Sequence, residues 1–259
     1  MHMRVVGAAV TGALALTTFA ATAAHADEIH GDTKISNVVV NGGKSVVAGA
    51  TGSKTFSVSF TVTDNSGVSF GQAILYHGTD IDNADSGAVA NTSDGRSKCT
   101  KTSATTSDCT ATYTVAGRQN LINSVAGTWK VWAIAQGKDN NYVQRDNAKS
   151  FQVQRLSKLT ADAAPEPVKK GKTLTVTGAL TRANWDAAKY SGYGTQSVQL
   201  QFRKKSSSSY TTLKTVKTDS KGNLKTTTTA TADGYYRFVF AGNSTTPAVS
   251  AAGDLVDVR

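Results

Sequence analysis

Residues 232–240 read ADGYYRFVF, and this stretch decides the fold. Asp233-Gly234 is a turn pair, and an alternating run follows it. Tyr236, Phe238 and Phe240 share one face while Arg237 and Val239 share the other, because strand side chains alternate with period two. Residues 126–133, AGTWKVWA, repeat the pattern: Trp129, Val131 and Ala133 take the inward places and Lys130 stands where Arg237 does. Two such strands roughly a hundred residues apart predict two copies of one kind of β-domain.

Working outward, residues 55–63 (TFSVSFTVT) alternate Phe56, Val58, Phe60 and Val62 against Ser57, Ser59 and Thr61. Residues 197–204 set Val198, Leu200 and Phe202 against Gln199, Gln201 and Arg203. Further strands are expected over 35–40, 72–77, 109–115, 148–154, 158–163, 173–180, 210–218, 224–230 and 255–258. Turn pairs such as Asn41-Gly42 and the run Asp219-Ser220-Lys221-Gly222 fall between them. Thr and Val are plentiful, and Glu28 and Glu166 are the only glutamates. The fold class expected is therefore all-β: two antiparallel immunoglobulin-like β-sandwich domains in tandem after a signal peptide.

The signal peptide is residues 1–26. Arg4 supplies a positive start, residues 5–16 are mostly small and apolar, and Ala24-His25-Ala26 fits a cleavage pattern. The apolar run is shorter than the roughly 20 residues that span a bilayer, so no membrane insertion is expected. The two domains expected are 27–155 and 156–259. Residues 27–155 hold 12 Lys and Arg against 11 Asp and Glu, whereas residues 156–259 hold 15 against 7. The second half is thus the basic one. Its lysines lie between Thr and Ser, as on a solvated surface, and the same charge suits an anionic polymer outside the cell.

Cys99 and Cys109 are the only cysteines, and their spacing suits a disulfide that closes a local hairpin in an exported protein. The loop over residues 79–95 gathers Asp80, Asp82, Asp85 and Asp94 but misses the EF-hand template, so no metal site is assigned. His30 and His77 are the only histidines after residue 26, and neither sits in a G-x-S-x-G context. With no phosphate loop, no H-E-x-x-H and no zinc spacing, no catalytic residue, enzyme activity or cofactor is expected. In residues 182–195, RANWDAAKYSGYGT, three aromatics stand in a polar connection. Trp185, Tyr190 and Tyr193 are the candidate binding residues, since loop aromatics stack on sugars or anchor partners; the alternative is that Trp185 caps the sandwich and the tyrosines pack over it.

The succession GKTLTVTGALTRANW, SVQLQFRKK, YTTLKTVKTDSKGNLKTT and ADGYYRFVFAGN resembles the bacterial immunoglobulin-like domain at the C-terminus of secreted actinobacterial proteins, over nearly all of residues 158–259. The whole chain from residue 27 is similar to an uncharacterised family of exported actinobacterial proteins with two such domains. The resemblance implies a sandwich fold and export, and it implies no reaction. Gly234-x-Tyr236-x-Phe238 also resembles the tyrosine corner of immunoglobulin-type domains, with Phe238 where antibody domains carry a cysteine.

These readings converge on a secreted, extracellular, non-catalytic binding or structural protein whose partner is a cell-wall polymer or another extracellular protein, and not nucleic acid. An alternative is an inhibitor or effector acting through the hairpin closed by Cys99 and Cys109. A wall hydrolase is a third reading.

Overall fold

The structure, a computed structural model, describes residues 27–259. The expected signal peptide, residues 1–26, lies outside the described residues. Strands dominate. One sheet runs β1 (Glu28–His30), β10 (Tyr142–Arg155), β9 (Gly127–Gly137), β5 (Val68–Gly78) and β6 (Ala84–Val89). The short β3 (Val46–Ala48) joins it parallel to the end of β10, and the other pairings are antiparallel. The facing sheet runs β2 (Lys34–Val40), β4 (Ser53–Thr63), β8 (Thr106–Ala116) and β7 (Lys98–Lys101). Between the two sheets lie Phe56, Val58, Phe60 and Val62 of β4, Leu75 of β5, Tyr113 of β8, and Trp129, Val131 and Ala133 of β9, all buried. Each large apolar side chain removed from water there stabilises the fold by about 1.5–3 kcal/mol.

A second pair of sheets follows. In one, β13 (Thr173–Asn184) is flanked by β11 (Ser157–Leu159) and β12 (Asp162–Ala164), and it also carries β14 (Lys189–Gly192) and β17 (Asn223–Thr229). The other orders β16 (Thr211–Lys217), β15 (Ser197–Lys204) and β18 (Gly234–Phe240), with β19 (Val249–Ser250) and β20 (Asp254–Val256) on the far side of β18. Leu174, Val176 and Leu180 of β13, Val198 and Leu200 of β15, and Tyr236, Phe238 and Phe240 of β18 form the second cluster. The inward faces read from ADGYYRFVF and AGTWKVWA are therefore the buried ones.

Three expectations need correction. Residues 158–163 are not one strand: β11 pairs with the far end of β13 (Lys158 opposite Thr181) and β12 with its middle (Ala163 opposite Val176). The acidic stretch 79–95 is not all loop, because β6 pairs along β5 within it. Residues 182–195 hold the end of β13 and all of β14, a hairpin rather than an open loop.

That hairpin joins the two halves. Ala183 and Trp185 belong to the first hydrophobic cluster although they follow residue 156. Main-chain hydrogen bonds cross at the same place: Leu156 N–H donates to the Ala48 carbonyl (2.9 Å) and Arg155 N–H to the Thr245 carbonyl (2.9 Å). A buried polar backbone needs such partners, and here each half supplies them to the other.

Candidate functional site

Of the three aromatics named as candidate binding residues, Tyr190 and Tyr193 are half-buried and Trp185 is withdrawn from the surface. Trp185 is fully buried. Its indole N–H donates to the Gly49 carbonyl (3.0 Å) and its main-chain N–H to Asn123 Oδ1 (3.0 Å). Asn123 in turn donates from Nδ2 to Asn184 Oδ1 (2.8 Å) and from its main-chain N–H to Asp186 Oδ1 (3.0 Å). The polar residues around Trp185 thus bind the first half and carry the indole into its core. Tyr190 packs against the first cluster, with the Lys158 ammonium 3.9 Å from its ring centre. Tyr193 packs against the second cluster, under the Arg182 guanidinium at 3.8 Å, and its hydroxyl accepts from Asn243 Nδ2 (2.8 Å). Each of these rings thus has one cation-π partner within the protein. Trp185 caps the first half and the half-buried tyrosines pack beside it, as in the alternative reading of this stretch.

Cys99 and Cys109 form a disulfide between directly opposed residues of β7 and β8, and Cys109 is buried. In the acidic stretch, the Asp80 carboxylate accepts from the main-chain and side-chain nitrogens of Asn83 (2.8 Å each to Oδ1), as in an Asx turn. His77 Nδ1 lies 2.6 Å from Asp85 Oδ1. The hydroxyl of Ser86, opposite His77 on β6, donates to the Asn120 carbonyl (2.5 Å) instead of to the imidazole. Residues 67–71, GVSFG, fit the G-x-S-x-G pattern, but Ser69 sits in β5 at a register shift between Val68 and Phe70. A nucleophile elbow needs a sharp strand-to-helix turn, and none is present there.

Two groupings escaped the sequence. Asp32, Asp64 and Asp139 bring one carboxylate oxygen each within 4.8 Å of one another, near enough to share a hard cation. Protein donors already serve them: Thr33 and Ser66 to Asp64, Asn65 N–H to Asp32, and Asn141 to Asp32 and Asp139. Burial alone would raise the Asp64 carboxyl, but hydrogen bonds from Ser66 and Thr33 outweigh it and hold its pKa below the ordinary value. The residues lie 32 and 75 positions apart, in separate turns, so only the fold gathers them.

The second grouping lies on the outer face of the sheet that holds β18. Register places Arg203 opposite Tyr235 and Gln201 opposite Arg237. The Arg203 guanidinium stacks on Tyr235 at 3.8 Å and approaches Tyr210 at 5.3 Å, while Arg237 stacks on Tyr210 at 3.7 Å. Arg237 Nε and Nη2 both donate to Gln201 Oε1 (3.0 and 2.9 Å), and Arg203 Nη1 donates to the Ser207 carbonyl (2.8 Å). Neither arginine forms an ion pair among the described residues. Tyr210 is pressed so close to the chain that a β-carbon at Gly253 would collide with its hydroxyl. The result is a rigid ladder of two tyrosines and two half-buried guanidiniums held by neutral acceptors.

Residues 41–135 match a family of unknown function, DUF5707. No curated protein matches the chain. Among solved structures, the chain is similar to the Yersinia pseudotuberculosis adhesin InvE at 16% identity, covering 85% of this chain and 58% of that one, with a TM-score of 0.28. It is similar to the D00-D0 domain of intimin at 14% identity, covering 86% and 99%, with a TM-score of 0.28. It is also similar to the ectodomain of mouse nectin-like molecule 4 at 14% identity, covering 89% and 65%, with a TM-score of 0.27. The chain thus spans less than two thirds of the InvE and nectin-like chains. With TM-scores this low, none of these likenesses bears on what the chain binds.

Proposed function

We propose that this is a secreted, non-catalytic binding protein of two modules, 27–155 and 156–259, that engages an anionic polymer of the cell wall. One observation carries the reading. Strands β15, β16 and β18 hold Arg203, Lys204, Lys214, Lys217 and Arg237 and not one Asp or Glu. Asp254 of β20, on the far side of β18, is the one acid in the strands of this sheet. Three neighbouring cationic strands attract polyanions and concentrate them at their surface. The disulfide fits an oxidising compartment outside the cytosol, and the resemblance of residues 158–259 to exported actinobacterial domains supports the same address. The contacts around Trp185 fix the two modules to each other, so the cationic sheet is presented on a stiff body and loses little freedom on binding.

The test is co-sedimentation of the purified protein, residues 27–259, with isolated walls. Retention at low salt and release at high salt is the expected result. No retention at low salt would overturn the reading.

A further inference from the structure

We propose that the Tyr–Arg ladder on β15 and β18 is a binding site for a linear acidic polysaccharide. The inference rests on the wall-polymer reading above and assigns it a place and a ligand class.

The argument starts from the arginines. The guanidiniums are held over the rings of Tyr235 and Tyr210. Arg237 Nη1 and Arg203 Nε and Nη2 bond to no protein acceptor among the described residues. The two guanidinium carbons lie no more than 9.0 Å apart, the sum of their distances to the Tyr210 ring centre. The Nε/Nη2 fork of Arg203 suits bidentate contact with one anionic group and Nη1 of Arg237 a contact with the next group of the same chain, and such charge-assisted bonds are the strong ones.

The neighbours select the kind of chain. Beside Arg237, Gln201 Nε2 donates to Gln199 Oε1 (3.2 Å) and to Thr212 Oγ1 (3.3 Å), and Thr212 donates to Gln199 (3.2 Å). Gln201 Nε2 and the Thr212 hydroxyl spend their hydrogens within this neutral row, which leaves Gln199 Nε2 and the oxygen lone pairs to meet sugar hydroxyls. Single-stranded nucleic acid is instead gripped by free aromatic faces on which bases stack. In the ladder, guanidiniums already lie on both rings. The tyrosines orient the arginines, and the arginines and amides read the ligand.

The experiment measures binding of residues 27–259 to polygalacturonate, to its neutral methyl ester and to a dT oligonucleotide. The proteins are wild type, R203Q/R237Q, R203K/R237K and K44Q/K149Q, the last a charge-matched control in the first half. Thermal unfolding confirms that each variant is folded. The wild type and the control are expected to bind polygalacturonate alike and to bind the ester and dT weakly. Both arginine pairs are expected to lose about tenfold or more, the lysine pair included, because ammonium groups cannot form the planar fork. The site assignment is overturned if R203K/R237K binds as the wild type does, or if dT binds as tightly as polygalacturonate. If R203Q/R237Q still co-sediments fully with walls, the site is wrong while the wall reading stands. If the wild type does not co-sediment at all, the wall reading itself fails.

Discussion

The Trp185 indole nitrogen donates to the Gly49 carbonyl across 136 residues of sequence. This bond lies at the centre of the contact between the two halves, with Asn123 bridging Asn184, Trp185 and Asp186 around it. Trp185→Ala would empty a fully buried site and orphan the Gly49 carbonyl. The expected loss is about 3–5 kcal/mol in chemical denaturation, with new protease cleavage near residue 156. A loss under about 1 kcal/mol, typical of surface positions, would show that Trp185 does not join the halves.

Asp64 makes a pH prediction. Its folded pKa is depressed, so its contribution is present above the unfolded carboxylate pKa of about 3.9 and fades as pH falls through the folded value. Asp64→Asn is expected to be less stable by about 1–3 kcal/mol at pH 7, with the difference from wild type shrinking below about pH 4. A difference that stays constant from pH 7 to pH 3 would contradict this.

The disulfide separates structure from function. Cys99→Ser/Cys109→Ser is expected to lose about 2–3 kcal/mol of stability, because the bridge closes a loop over a sequence separation of 10. Wall retention of the folded variant should be unchanged, since the cationic sheet lies in the other half. Retention lost on removing the bridge, or on scrambling residues 101–107, would move function to the hairpin.

Much of the fold was legible because period-two alternation marks long strands. Phe56 to Val62, Trp129 to Ala133 and Tyr236 to Phe240 all face inward as read. Strands β1, β3, β11, β12 and β14 were missed or merged, because three or four residues give alternation nothing to repeat over. For a related reason the sequence leaves Trp185 between two readings. Asn184 and Asp186 make its surroundings look exposed, and their partner Asn123 lies about 60 positions away. The ladder was half visible. Alternation put Arg203 and Arg237 on outward faces, but the register that sets Arg203 opposite Tyr235, and the placement of Tyr210 under Arg237, belong to tertiary pairing.

The most direct measurement is the salt dependence of wall binding by wild type and R203Q/R237Q. For polyanion binding, the slope of log affinity against log salt counts the cations engaged, and each lost contact lowers it by about 1. The ladder predicts a slope shallower by about 1–2 in the double variant, with K44Q/K149Q matching the wild type. Equal slopes for wild type and R203Q/R237Q would contradict it.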